Sequence, residues 1–97
     1  MKQCGVYAFF DGDRCLYVGR SKNLKERIAK YFYKSTGRYF FDSINKDAYF
    51  AIHRARINNK LKIYIHETND YQQAEIDFHN ILKPEYNKVT PGIFNYT

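Results

Sequence analysis

Between Arg20 and Arg38 the chain carries Arg20, Lys22, Lys25, Arg27, Lys30, Lys34 and Arg38 against a single acid, Glu26. Cations repeated along one short segment suit a polyanion, because each neutralises one more charge of a regularly charged partner. Within that run Arg27 and Tyr31 stand four residues apart, which on a helix sets a guanidinium and a phenol one turn above each other on the same face. Two further phenols, Tyr7 and Tyr17, each lie two residues from a glycine, Gly5 and Gly19. Basic groups facing an anion, beside phenols on an open backbone floor, are the chemical raw material of this chain.

The elements that must position these groups follow from periodicity. Leu16 and Val18 alternate with Cys15 and Tyr17 in strand fashion, and Gly19 permits a tight backbone where a side chain would obstruct. Asn23 followed three residues later by Glu26 is a capping-box pattern, so a helix is expected from Leu24, with Leu24, Ile28 and Phe32 as its buried stripe. Upstream, Gly5 to Phe10 is rich in strand formers, Asp11-Gly12-Asp13 is a turn, and Arg14 to Gly19 is the hairpin partner. If Phe10 pairs with Arg14, Gly5 falls opposite Gly19 and Tyr7 opposite Tyr17, and paired residues project from one face. A two-residue Gly12-Asp13 turn would instead shift the pairing by one and send the two tyrosines to opposite faces.

Downstream, Lys34 to Gly37 reads as a loop and Arg38 to Asn45 as a short aromatic helix. Asp47 is an N-cap for a helix through about Asn58, with Ala48, Ile52 and Ala55 inward and Arg54 and Arg56 in solvent, although AYFAIH alone also fits a strand. Lys60 to Thr68 alternates, predicting a third strand packed on one side through Leu61, Ile63 and Ile65. Asp70 with Gln73 opens a helix from Tyr71 to about Leu82, with Ala74, Phe78, Ile81 and Leu82 as its core face, and Pro84 closes it. Glu75, Asp77 and His79 are not accounted for by that face. Lys88 to Thr97 offers only a Pro91-Gly92 turn.

At 97 residues the expectation is one domain spanning 1–97, large enough for a single core, with no room for a separate targeting module. A net charge of +6 with 19% aromatic residues favours nucleic acid over a membrane surface as the partner. No apolar run approaches the roughly 20 residues of a membrane-spanning helix, and the N-terminus lacks a signal-peptide core, so the expected location is cytoplasmic or nucleoid-associated. In the register above, Cys4 faces Arg20 and Cys15 faces Phe9, beyond the roughly 7 Å that a disulfide spans between Cα atoms. Two reduced thiols are expected, and two cysteines so separated make a poor zinc site.

The ordered set Gly5-Val6-Tyr7, Tyr17-Val18-Gly19, Arg27, Tyr31, Glu75 within a late helix, and Asn87 after Lys83-Pro84-Glu85-Tyr86 resembles the GIY-YIG nuclease domain over almost the whole chain. Val6 and Val18 replace the isoleucines of the family name, and Arg20 stands where relatives often carry lysine, keeping the charge but unable to act as a base. The resemblance implies a compact α/β fold, a small, mostly antiparallel three-stranded sheet with helices packed around it. It implies metal-dependent cleavage of DNA, with Glu75 binding one divalent ion, Mg²⁺ or else Mn²⁺, and water and substrate phosphate completing the shell. Arg27 would hold the scissile phosphate, Tyr7, Tyr17 and Tyr31 would ring the nucleophilic water with Tyr7 as base and Tyr17 as runner-up, and Asn87 would anchor. Arg20, Lys22, Lys25, Lys30 and Lys34 would bind the nucleic-acid backbone.

Family members serve repair, recombination and restriction, and most attach a separate DNA-binding part. Here the domain reads as standing alone, so specificity is expected from the basic helices, DNA shape, a protein partner or oligomerisation. Taken singly, each residue has a plainer reading: Tyr7 and Tyr17 as strand packing, Arg27 as a solvated helix face, Glu75 as an exposed helical acid, Asn87 as a turn residue. His53, His66 and His79 read as packing or surface histidines. The competing function is a non-catalytic DNA- or RNA-binding module using the same basic face; a nonspecific polyanion coat would explain the charge but not Glu75 or Asn87.

Overall fold

The computed structural model describes residues 3–32 and 46–87. They form strands β1 (Gly5–Asp11) and β2 (Arg14–Ser21), helices α1 (Leu24–Ala29) and α2 (Lys46–Ile57), strand β3 (Leu61–Glu67) and helix α3 (Tyr71–Leu82). The sheet has the order β2-β1-β3, and both pairings are antiparallel. The helical reading of 38–45, and everything expected of 88–97, lies outside the described residues.

Because β1 is central and covered on both faces, it is apolar without alternation: Val6, Tyr7, Ala8 and Phe9 are all buried. Tyr7 and Phe9 point to one side, into a core with Leu16, Leu24, Tyr31, Ala51, Ile52 and Ala55 from β2, α1 and α2. Val6 and Ala8 point to the other, with Cys15, Val18 and the face of α3 made by Tyr71, Ala74, Phe78 and Leu82. The expected antiparallel sheet with flanking helices is therefore what the chain forms.

The hairpin register differs from the expected one in an instructive way. The turn is the two-residue Gly12-Asp13, with Gly12 at φ 60° and Asp11 paired with Arg14. That slides the pairing by one residue, but the register then slips again between Phe9 and Phe10, so that Phe10 pairs with Cys15 and Phe9 with Tyr17. Leu16 is the extra residue of a β-bulge. Two shifts of one restore the parity: Tyr7 now faces Gly19 directly rather than Tyr17, yet the two tyrosines still share a face, with ring centroids 6.5 Å apart.

The two glycines consequently do different jobs. A Cβ on Gly19 would run into the Tyr7 phenol, whereas one on Gly5 would run into the β3 backbone at His66. There is no shared floor. Gly19 makes room for the Tyr7 ring and Gly5 for a neighbouring strand.

Helix α1 is shorter than its pattern suggests. Asn23 accepts from the Glu26 amide at 3.2 Å as the expected cap, but the helix ends at Ala29 with Lys30 as C-cap. Tyr31 and Phe32 follow in a tighter turn, their amides donating to Ile28 and Ala29 at 3.1 and 3.0 Å, the three-residue spacing common at helix ends. Helix α2 presents Ala48, Ala51, Ile52 and Ala55 to the core, as expected, with Arg54 and Arg56 outward.

Strand β3 is where expectation and burial part. Leu61 packs against the core, but Ile63 and Ile65 are 40% and 55% exposed, because β3 is an edge strand beyond the reach of α2's main contacts. On α3, Asp70 makes no side-chain cap; Gln73 reaches forward to Asp77 at 2.9 Å instead of back. Ile81 is 73% exposed, not core. It lies about 80° around the helix from the Tyr71 direction, at 100° per residue, whereas Phe78 and Leu82 fall within about 20° of it. Glu75, about 40° to the other side, is drawn under the helix, and its burial reverses the surface reading of that residue.

Candidate active site

Three phenols, two guanidinium groups and a carboxylate meet at the Gly19 end of β1 and β2. The Tyr7 ring, 3% exposed, lies edge-on to Tyr31 with centroids 6.2 Å apart and tilted to Tyr17. The Tyr31 hydroxyl hydrogen-bonds to that of Tyr7 and so favours loss of the Tyr7 proton over its own. Burial is the larger influence on both and raises both phenols, while the charge of Arg27 pulls each back. Tyr17 is only partly buried and packs on the edge of this core.

Glu75 comes from α3, on the opposite side of the sheet, yet its charge reaches Tyr7. It is 7% exposed, the one buried charged residue among those described. Burial raises its carboxyl, and Arg20 opposes that rise: Arg20 Nη1 stands 3.3 Å from Glu75 Oε1. Arg20, expected on an outer DNA-binding face, thus belongs to the site. A buried carboxylate needs a cation, since desolvation disfavours the bare charge. Among the described residues no three carboxylate, histidine or cysteine side chains gather, and Glu75 is the carboxylate that this site presents. One hard carboxylate with water and phosphate oxygens fits a magnesium-type ion and does not fit zinc.

Asn87 stands behind the site rather than in it. Its Oδ1 accepts from the Val18 amide at 3.0 Å and its Nδ2 donates to the Val18 carbonyl at 2.9 Å, imitating a neighbouring strand on the outer edge of β2. The approach is prepared by the residues before it. Lys83, at φ 48°, turns the chain out of α3, the amides of Glu85 and Tyr86 donate to Cys15 and Leu16 at 3.1 and 2.9 Å, and Arg14 grips Glu85 through two bonds of 2.9 and 3.0 Å. Val18 lies between Tyr17 and Gly19, so Asn87 holds the strand that carries both.

Of the backbone-binding candidates, Lys22 and Lys25 are exposed, Lys30 is half-buried at the end of α1, and Lys34 lies outside the described residues. His53 is a residue that reading the sequence missed. Its Nδ1 accepts from Arg56 Nε at 3.2 Å, and a guanidinium only donates, so Nε2 carries the hydrogen and donates to the Tyr31 carbonyl at 2.6 Å. His53 pins the turn after α1 and with it the phenol beside Tyr7. No spacing rule connects a helix α2 histidine to a carbonyl 22 residues earlier. Both cysteines are free, as expected.

Comparison with known proteins bears on what this arrangement is. The family model described as the UvrC-like GIY-YIG domain matches residues 3–88. The chain is 36% identical over 89 residues to the UvrABC system protein C of Helicobacter hepaticus, covering 88% of this chain and 14% of that protein. It is 62% identical over 32 residues to the proteins of the same name from Pseudomonas putida and Pseudomonas protegens, covering 32% of this chain and 5% of each. No solved structure matches. The chain thus spans a small fraction of the length of these relatives, and residues 3–88, which the family model matches, hold the three phenols, Arg27, Glu75 and Asn87: it belongs to the GIY-YIG nuclease domain family, as a UvrC-like member.

Proposed function

We propose that the chain is a divalent-metal-dependent endonuclease that hydrolyses phosphodiester bonds of DNA, in the manner of the nuclease part of a UvrABC-type repair system. The observation that carries this reading is the gathering of a buried carboxylate in need of a cation, a guanidinium and hydrogen-bonded phenols around one glycine gap. Glu75 is the side chain that would hold Mg²⁺, or Mn²⁺ in its place. When bound, such an ion supplies positive charge and Lewis-acid polarisation beside the phosphate.

The chain's own residues do the rest. Arg27 binds the scissile phosphate with a planar donor fork and opposes the charge that grows on it in the transition state. Tyr7 takes the proton of the attacking water. Its phenol is pushed up by burial, so at neutral pH it is a base only when positive charge gathers beside it, and the Tyr31 hydroxyl and Arg27 already lean that way. Tyr17 orients the water, and is the alternative base. Asn87 fixes β2. Arg20, Lys22, Lys25, Lys30 and Lys34 meet the flanking phosphates, contacts that carry no base information. Selectivity for a structure or sequence then comes from DNA shape or a partner in a UvrABC-type assembly, and the protein acts where DNA is, in the cytoplasm or nucleoid.

The raised Tyr7 phenol also suits a binding module that never ionises it, and one experiment separates the two. Labelled linear, flap, junction and single-stranded DNA, with RNA as control, are incubated with protein and Mg²⁺, Mn²⁺ or EDTA. Metal-dependent cutting of at least one DNA is expected. Binding without cutting of any substrate overturns the nuclease reading in favour of the module.

A further inference from the structure

Arg20 and Glu75 form an ion pair beneath the surface, whereas the other arginine–carboxylate pairs among the described residues are both made by the exposed Arg14, with Glu85 and, at 3.9 Å, with Asp11. Arg14 and Glu85, both well exposed, meet through two parallel bonds of 2.9 and 3.0 Å, the bidentate arrangement that this pairing prefers. Arg20 approaches the far more buried Glu75 at 3.3 Å, with side-chain exposures of 23% and 10%. A guanidinium cannot leave a site by losing its proton, so a second cation arriving at Glu75 meets a full positive charge at hydrogen-bonding range. One carboxylate does not compensate both. Arg20 is also the last residue but one of β2, followed directly by Ser21 and by the exposed Lys22, and its own side chain is 23% exposed, on the side where phosphate is expected.

We propose that Arg20 is a resident counter-cation that holds Glu75 in the metal-free protein and exchanges that carboxylate for a DNA phosphate when a divalent ion arrives. This rests on Glu75 being the metal ligand. Metal and DNA are then taken up cooperatively: each removes an obstacle to the other, and linkage makes the enhancement reciprocal. The exchange keeps the carboxylate compensated at every stage, first by Arg20 and then by the ion, and it delivers the arginine to the backbone only when the site is loaded.

The test is Mn²⁺ affinity, read by electron paramagnetic resonance of the free ion, for wild type, Arg20→Gln, Arg20→Lys and Glu75→Gln, alone and with a saturating phosphorothioate duplex that resists cleavage. Wild type alone is expected to bind weakly, with the duplex tightening Mn²⁺ binding about tenfold, within the usual range of coupling. Arg20→Gln is expected to bind Mn²⁺ about tenfold more tightly without DNA and to lose most of the duplex effect, because the competitor is gone. Arg20→Lys should fall between. The Mn²⁺-dependent rise in Tm, larger for Arg20→Gln than for wild type, gives a second reading that also reports whether the variant is folded. Mn²⁺ affinity of Arg20→Gln equal to or below that of wild type, or an undiminished duplex effect, overturns the exchange while leaving Glu75 as ligand. Undiminished saturable Mn²⁺ binding by Glu75→Gln overturns the metal assignment itself, and the exchange with it.

Discussion

At the scale of single residues, burial and hydrogen bonding set two chemically identical phenols, Tyr7 and Tyr31, apart. Tyr7 and Tyr31 are both raised by burial, but their hydrogen bond helps Tyr7 ionise and hinders Tyr31. A general base whose proton is held too tightly works better as pH rises, because the ionised fraction grows. Single-turnover cleavage should therefore climb with pH through the neutral and mildly alkaline range, roughly tenfold per unit while Tyr7 stays mainly protonated. Tyr7→Phe should abolish that climb along with most of the rate. Tyr31→Phe, which removes the donor to Tyr7, should retain the climb but lower the rate at every pH in that range. A pH-independent rate in wild type would remove Tyr7 from the base role. The same shifts limit the assay: both folded phenols lie above the ordinary value of about 10, so the unfolded chain releases those protons first and stability falls as pH rises past it. Below that value the stabilisation is fully present.

At the scale of elements, the strand β2 is the frame of the site, and both its neighbours are specified by small details. On one side a glycine admits the Tyr7 ring; on the other the Glu85 and Tyr86 amides and the Asn87 side chain take the place of a fourth strand. Asn87→Ala strips partners from the Val18 amide and carbonyl, in a residue that is itself fully buried. Leaving such groups unpaired costs about 1–3 kcal/mol, so Tm should fall. Cleavage should fall by more than the loss of folded protein explains, because Tyr17 and Gly19 move with the strand. Asn87→Asp keeps the acceptor and loses the donor, and should be intermediate in both measurements. Equal Tm for Asn87→Ala and wild type would mean that β2 does not need the Asn87 side chain as an anchor. Gly19→Ala sets a methyl against the Tyr7 ring, an overpacking that costs about 1–3 kcal/mol. Helix α2 contributes at the same scale through His53, which holds the turn bearing Tyr31.

At the scale of the whole molecule, a net charge of +6 and the basic segment beginning at Arg20 would set how the proposed nuclease meets DNA. Several lysine and arginine contacts to phosphate release counterions, so log affinity should fall linearly with log salt, with a slope reporting the number of contacts. Lys25→Ala and Lys30→Ala should each lower affinity for all sequences about equally and reduce the slope by about one. A flat salt plot would refute the basic-face model, and a sequence-selective loss would show that these lysines read bases. No helix among the described residues is long and apolar enough to cross a membrane.

The order of the described elements, the strand character of residues 5–10 and the inward face of α2 were legible because each rests on local spacing, period two or period 3.6. Arg27 and Glu75 were singled out by the resemblance to the family's ordered motif residues, since periodicity alone reads them as surface charges. What only the tertiary structure decided depends on contacts between segments far apart in the chain. The Leu16 bulge reset the hairpin so that Tyr7 faces Gly19, and a bulge has no period to betray it. The burial of Glu75, its pairing with Arg20, the His53 bond to Tyr31 and the exposure of Ile63, Ile65 and Ile81 follow from which faces the sheet and helices present to one another. Local propensity sets the elements, while desolvation and hydrogen-bond partners, which give a site its electrostatics, exist only once those elements are packed.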